Sequence, residues 1–279
     1  MKRIPYERLR NIIINSDNKL YFEFTNLLSA RSSEEEMFSY LLGSDDVASI
    51  DYISVSCSKL DTSCISIDLF CSSYSSCNEA TVIIKDLISE TPRKLLITIY
   101  DYNGHFVSFC QENGCIRFEN VVKTKSFVYS DNIEYDRLDS RYQSFSIHNV
   151  YNNQVADGEI ARLIKAIPDW ERHIRMSYNS LDQCSDAFYI IYNGDQPIGY
   201  LSNMICTVEE YRDVALILIA RDYRGKGLAT LLAKHYIDDT LKKNKIPLYT
   251  NAGGIESEKV AQKAGLRYQY LRVSADIIT

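Results

Sequence analysis

Between Val214 and Leu241 the chain reads as a buried strand, a glycine-rich basic turn and an amphipathic helix in direct succession. The apolar run Val214-Ala215-Leu216-Ile217-Leu218-Ile219 has the length of a fully buried strand. Leu228, Leu231, Leu232, His235, Tyr236, Ile237 and Leu241 recur at helical spacing and mark one apolar face. Only a short turn containing Arg224-Gly225-Lys226-Gly227 joins the two, which commits this segment to a mixed α/β arrangement. The same geometry binds phosphates. The first helical N–H groups lack intrahelical partners, and the helix dipole places partial positive charge there. Gly225 and Gly227 remove the Cβ atoms that would hold a phosphate off the backbone, and Arg224 and Lys226 add charge.

Two common phosphate loops are excluded. A Walker loop needs a glycine at its first position, and none is present. The dinucleotide fingerprint fails because Gly225-Lys226-Gly227 is followed by Leu228-Ala229-Thr230. The pattern Arg-x-x-Gly-x-Ala fits, as Arg224, Gly227 and Ala229. The stretch Asp222-Tyr223-Arg224-Gly225-Lys226-Gly227-Leu228-Ala229 closely resembles the loop with which GNAT-superfamily N-acetyltransferases hold the pyrophosphate of acetyl-coenzyme A. Downstream, Ile246–Asn251 reads as a short strand. Ser257–Lys263 reads as a helix ending at a glycine cap in Lys263-Ala264-Gly265-Leu266. This is similar to the family's second motif, with Leu in place of its usual Phe. Gly254 replaces an Asn common in the family, and Ala261 replaces a Tyr thought to protonate the departing thiolate. The resemblance covers residues 141–279.

The resemblance implies a splayed central mixed sheet flanked by helices. It implies acetyl-CoA as cosubstrate and Ile217 and Ile219 as backbone partners of the pantetheine arm. Arg224, Gly225, Lys226, Gly227, Leu228 and Ala229 would surround the pyrophosphate, with Ser257 also on the cofactor. Catalysis by acyl transfer to an amine needs a base for the ammonium group and an acid for the thiolate. On strand period, Asp213 shares a face with Ala215, Ile217 and Ile219 and is the candidate base. Glu209 and Glu210 read as loop charges. Asn251, at the end of the next strand, is a candidate to orient a water or bind an amide. With Ala261 unable to act, Tyr268, Tyr249 and Ser257 are the candidates to replace the acid, Tyr268 first, and protonation of the thiolate by water is the alternative.

Bulk properties narrow the class further. Hydrophobic residues make up 46% and charged residues 24%, ordinary for a globular protein. The basic start Met1–Arg8 is followed by no apolar core segment, and no run is long enough for a membrane helix, so a cytoplasmic protein is expected. The eight cysteines contain no Cys-x-x-Cys and the four histidines are scattered, so reduced thiols and no metal are expected. The net charge is −6; residues 145–279 hold 16 basic and 16 acidic residues, so the whole excess lies in the first half. That balance argues against nucleic acid as a partner.

Residues 1–140 read as an N-terminal α+β domain. Ser33-Glu34-Glu35-Glu36 looks like a capping box opening a short helix that ends near Gly43. Strands are expected near 50–57, 64–71, 94–100 and 118–129, with helices near 79–89 and 104–112. This order echoes the second half, so we read the first domain as a degenerate GNAT-like repeat without a cofactor loop; an unrelated α+β domain is the alternative. A splayed central sheet in that half is the expected mark of the repeat. Residues 130–153 read as a polar linker, and 141–279 as the acetyltransferase domain, ending in a strand pair over 268–278. The expected function is N-acetyl transfer to a small-molecule or peptide amine. The alternatives are an acyl-CoA-binding regulatory module without turnover, and O-acetyl transfer.

Overall fold

The computed structural model describes residues 2–5, 8–9, 11–12, 35–42, 51–58, 64–90, 94–101, 105–129, 142–151, 156–179, 181, 185–206 and 210–278. The chain divides into two units, Met1–Ser126 with Gln269–Thr279, and Phe127–Tyr268. The expected boundary at 140/141 and most of the expected linker lie outside the described residues.

In unit 1, strands β1 (Lys2–Ile4), β2 (Glu35–Leu42), β3 (Asp51–Ser58), β4 (Cys64–Phe70) and β5 (Lys94–Asp101) lie side by side in that order. The first four are antiparallel neighbours. Helix α1 (Tyr74–Glu90) connects β4 to β5 and makes that pair parallel, as a crossover helix must. Helix α2 (His105–Asn113) and strand β6 (Arg117–Tyr129) follow. The chain returns to this unit in its last strand, β12 (Leu266–Ile278), where Leu271–Ile277 pair antiparallel with Asp101–Leu95 of β5. Ile67, Leu69, Ile84, Ile99 and Phe106 share a core with Val273, Ala275 and Ile277 of that strand.

Two expectations change here. Of the helix expected from Ser33 to Gly43, the described part, Glu35–Leu42, is the strand β2, in register with β3 from Glu35↔Ser58 to Leu42↔Asp51. A local capping pattern loses to long-range pairing by Phe38, Tyr40 and Leu41, residues that suit a sheet. The expected terminal strand pair is one continuous strand, because its pairing with β5 runs without a break.

Unit 2 contains β7 (Phe145–Asn149), α3 (Ala156–Ala166), a 3-10 turn at Pro168–Trp170, α4 (Glu171–Asn179), β8 (Phe188–Asn193) and β9 (Gln196–Ile205). Then come β10 (Tyr211–Ile219), a 3-10 turn at Arg221–Tyr223, α5 (Leu228–Lys242), β11 (Ile246–Ala252) and α6 (Ile255–Lys263). Strands β7 to β10 are antiparallel neighbours, and β10 and β11 are parallel. The β8–β9 hairpin turns through Asn193-Gly194-Asp195, with Gly194 at φ 57°. One core, including Tyr189, Leu201, Leu232 and Tyr236, lies under α5. Another, including Ile160, Leu163, Phe188 and Tyr200, lies under α3 and α4.

The start of β10 is anchored by a buried cation. Arg212, 1% exposed, donates from Nη2 to Asp186 at 2.7 Å and from Nη1 to Asp239 at 3.0 Å and Thr240 at 3.0 Å. Its guanidinium carbon stands 5.4 Å from the Tyr236 ring centre. Asp239 also accepts from the Tyr189 hydroxyl and pairs with Lys243 at 3.0 Å. Burial alone would raise the Asp239 pKa, but hydrogen bonds from Tyr189, Lys243 and Arg212 outweigh it and lower the value to about 2.

The units share one run of elements: three antiparallel strands, a helix, a parallel strand, a helix, preceded in each by a further strand and, in unit 2, by α3 and α4 after that strand. They differ where it matters. In unit 1, β4 and β5 stay paired from Cys64↔Lys94 to Phe70↔Tyr100. In unit 2, β10 and β11 pair only from Tyr211↔Ile246 to Asp213↔Leu248. The splay expected in the first half is therefore absent, and the one expected in the second half is present.

Among the described residues no helix is long and apolar enough to cross a membrane, and no group of His, Cys, Asp or Glu could hold a metal ion. The seven described cysteines are free thiols.

Candidate active site

Past Asp213 the β10–β11 ladder stops and a cleft of about 760 Å³ opens between the strands. Its walls are Ala215–Ile219 of β10, the turn after them, Tyr249 of β11 and one face of α6. The volume suits a cofactor-sized ligand. A bulge between Val214 and Leu216 bends β10 where the opening begins. On the far side, Gly199 of β9 lies so close that a Cβ there would stand 2.5 Å from the Leu218 carbonyl oxygen. Glycine at that position lets β9 follow the bent strand.

The turn arrives at α5 with its helix end unfilled. Gly225 and Gly227 hold φ values of 76° and 80°, where glycine is favoured. Gly227 is the N-cap and makes no side-chain capping bond. The first N–H groups of α5 are thus left for a ligand, which is the fit a pyrophosphate requires. Arg224 lines the cleft and its Nε donates to the Ile219 carbonyl at 3.0 Å, tying the turn to the end of β10.

Unit 1 answers the same positions differently. Its β4–α1 turn, Cys71-Ser72-Ser73, has no glycine. Ser73 accepts the Ser76 N–H on its hydroxyl at 3.1 Å, and Asp51 accepts the Ser72 N–H at 3.0 Å. A serine cap and a carboxylate already occupy that helix start. Beside it, β4 and β5 stay paired along their length, without the parting seen between β10 and β11.

Most of the expected cofactor residues converge. Ile217, Ile219, Arg224, Gly225, Gly227, Leu228, Ala229 and Ser257 all line the cleft. Lys226 does not; its ammonium stands 4.8 Å from the Tyr223 ring centre. The Gly227 backbone also faces a neighbour that the sequence does not reveal: a Cβ there would collide with the Tyr142 hydroxyl.

The expected catalytic residues fare otherwise. Asp213 is 2% exposed and is not part of the cleft wall. It accepts the Thr250 N–H at 2.9 Å and the Thr250 hydroxyl. Both oxygens of the candidate base are thus engaged at the strand junction, away from the cleft wall. Strand period placed it on the right face but could not show that the ladder ends at its side chain. Tyr268 is 44% exposed, stands edge-on to Phe127 at 6.1 Å and does not line the cleft. The backbone of Asn251 lies in β11, while its side chain, like all of Glu209, lies outside the described residues. Glu210 is exposed, and its carbonyl accepts the Ile246 N–H at 2.6 Å.

Tyr249 lines the cleft, as does Tyr223 of the turn. Tyr249 is 6% exposed. Burial raises its pKa, and a hydrogen bond with Ser257 partly offsets that. Its hydroxyl therefore stays protonated and able to donate at neutral pH. Trp170, the only tryptophan in the chain, also lines the cleft. Its singularity was visible in the sequence, but its place was not. Ala261, on the buried face of α6, offers no polar group.

Residues 149–266 match the family described as "Acetyltransferase (GNAT) family". The chain carries a GNAT acetyltransferase domain. Among curated proteins none matches this chain. The fold is similar over nearly the whole length to solved GNAT structures. One is a GNAT-family acetyltransferase from Colwellia psychrerythraea, 11% identical, with a TM-score of 0.60 and 100% of each chain covered. Another is a GCN5-related N-acetyltransferase from Sphaerobacter thermophilus, 9% identical, with a TM-score of 0.56, covering 94% of this chain and 85% of that one. A third is a tandem GNAT protein from the clavulanic acid biosynthesis pathway, 10% identical, with a TM-score of 0.53, covering 91% and 87%. At these identities the likeness is one of fold. It extends to unit 1, which lies outside the matched GNAT domain yet shares that run of elements.

Proposed function

We propose that the GNAT domain transfers an acetyl group from acetyl-CoA to a primary amine of a small molecule or peptide, by direct attack on the thioester. The carrying observation is the uncapped α5 N-terminus, which opens on a cleft along the unpaired edge of β10. The cosubstrate supplies the activated acyl group. The turn from Arg224 to Ala229 binds its pyrophosphate through backbone N–H groups and the helix dipole. The backbone at Ile217 and Ile219 holds the pantetheine arm as an added strand, which fixes the thioester for attack. Tyr249, kept protonated by burial and aligned by Ser257, donates its proton to the leaving thiolate. With Asp213 committed elsewhere, no carboxylate of β10 faces the cleft, and the amine loses its proton to solvent. Unit 1, without a glycine-rich turn, takes no cofactor in this reading.

Coenzyme A is expected to stabilise unit 2. At about a hundred times its dissociation constant it adds roughly 2.7 kcal/mol, read as a rise in melting temperature. Because Trp170 lines the cleft, its emission should change over the same titration. A folded sample with neither response at millimolar coenzyme A overturns the reading.

Tyr249→Phe should preserve coenzyme A affinity and lower kcat about 10²-fold, the usual share of one general acid. Wild-type kcat should rise with pH toward the acceptor's own pKa, as the neutral amine fraction grows. An unchanged kcat in the variant removes Tyr249 from proton transfer. The second reading, an acyl-CoA-binding regulatory module, draws on the buried Ala261 at the position where relatives often carry the acid. Acceptor-dependent release of free thiol from acetyl-CoA separates the two, using a panel of polyamines, aminoglycosides, amino acids and peptides. A panel that includes alcohols also detects O-acetyl transfer.

A further inference from the structure

The cleft closes where β10 and β11 meet, and a side-chain clasp closes it. Asp213 is the last β10 residue in register with β11, opposite Leu248. Its carboxylate reaches two residues further along β11 to Thr250, taking the N–H at 2.9 Å and the hydroxyl as well. Both residues are buried, at 2% and 7% exposure. An N–H group leaving a parallel ladder inside a protein must find another acceptor. Here the acceptor is a carboxylate, and its length sets the gap at which the strands begin to part. The first cleft residues beyond it are Ala215 on β10 and Tyr249 on β11, immediate neighbours of the clasp.

We propose that the Asp213–Thr250 clasp, lying behind Ala215 and Tyr249, holds the closed end of the acyl pocket shut and limits the acyl chain to about the length of acetyl. This rests on the acyl-CoA reading above. Phosphates bound at the turn after β10 send the pantetheine arm back along that strand toward its start. From Ile219 to Asp213 β10 spans about 20 Å, at roughly 3.3 Å per residue. An extended arm uses most of that run, so the acyl group comes to rest at the bulge, directly above the clasp. Each added methylene then presses on Ala215 and Tyr249, which the clasp holds together, and a longer chain must break the clasp's hydrogen bonds. The two side chains act as specificity-determining residues and take no part in bond making.

The test is calorimetric titration of the full chain with coenzyme A, acetyl-CoA and butyryl-CoA. The wild type should bind acetyl-CoA at least about tenfold more tightly than butyryl-CoA, the scale on which a pocket reads chain length. Thr250→Ala loosens the closed end and removes one hydrogen bond. It should bring the ratio to about threefold or less while coenzyme A affinity stays within about threefold of wild type. Thr250→Ser retains the hydroxyl and should keep the wild-type ratio. Thr250→Val keeps the volume without the hydroxyl, so it reports if the alanine variant does not fold; its ratio should fall between the two. Equal wild-type affinity for both acyl-CoAs overturns the inference, as does a wild-type ratio in whichever of the alanine and valine variants folds. Those outcomes leave the acyl-CoA reading intact. A wild type that binds coenzyme A not at all overturns that reading and this inference with it.

Discussion

Gly225→Asp should weaken coenzyme A binding about 10³-fold and leave unit 2 folded. Aspartate tolerates the left-handed backbone at φ 76° better than most residues, and nothing lies within 4 Å of the added Cβ. The carboxylate then stands in the phosphate site. Two like charges about 4 Å apart repel by about 4 kcal/mol at an effective dielectric of 20, which is close to three decades in affinity. Titration calorimetry with the melting curve of the free protein checks both halves of the statement. Unchanged affinity would move the phosphate site away from this turn. Gly227→Asp is the less clean variant, because its Cβ would collide with the Tyr142 hydroxyl and could unfold the turn for reasons unrelated to phosphate.

Arg212→Ala should cost unit 2 about 3–5 kcal/mol, the usual consequence of removing one partner from a buried ion-pair network. Asp186 and Asp239 would lose their shared cation, and Tyr236 the guanidinium above its ring. Urea unfolding followed by Trp170 emission reads unit 2, where the only tryptophan lies. The pH dependence carries a sign. The folded Asp239 carboxyl lies at about 2, below its ordinary value, and Asp186 is lowered too. Burial raises both; hydrogen bonds, including those from Arg212, outweigh it. Their stabilisation is complete above the ordinary carboxylate pKa, near pH 4, and is lost as pH falls toward 2. His235 and Tyr189 border the same network, but the carboxylates are the groups in it that titrate in that window. The variant should show a shallower loss of stability between pH 4 and 2, and an equal slope would contradict the pairing.

Local signals made unit 2 readable. The Asn193-Gly194-Asp195 turn, the run from Val214 to Ile219 and the glycines at 225 and 227 each fix their own backbone within a few residues. The strand and turn that wall one side of the cleft depend on those signals, and their residues were legible almost entirely. The catalytic side depends on which side chains meet across strands. Asp213 was placed correctly on its strand, yet its partner is Thr250, 37 positions away. Tyr268 and Tyr249 differ little as letters, and only the splay decides which of them reaches the cleft. The same limit explains β2. Glu34, Glu35 and Glu36 look like a helix start in isolation, while pairing with β3 makes the segment a strand. In unit 1 the shared run of elements could be read, but the missing splay could not, because it is a matter of register rather than of composition.

The path of the last strand has a consequence for how the molecule is made. Val273, Ala275 and Ile277 fill the core of unit 1, and Leu271–Ile277 complete its sheet against β5. Those residues leave the ribosome only after all of unit 2 has been synthesised. Unit 2 can therefore collapse on its own contacts while unit 1 waits with the edge of β5 open, and such an edge invites pairing with another nascent chain. The final joining closes a loop of more than 160 residues between β5 and β12, a slow step for any chain. A nascent chain that stalls before residue 271 would carry a finished acetyltransferase domain beside an unfinished neighbour.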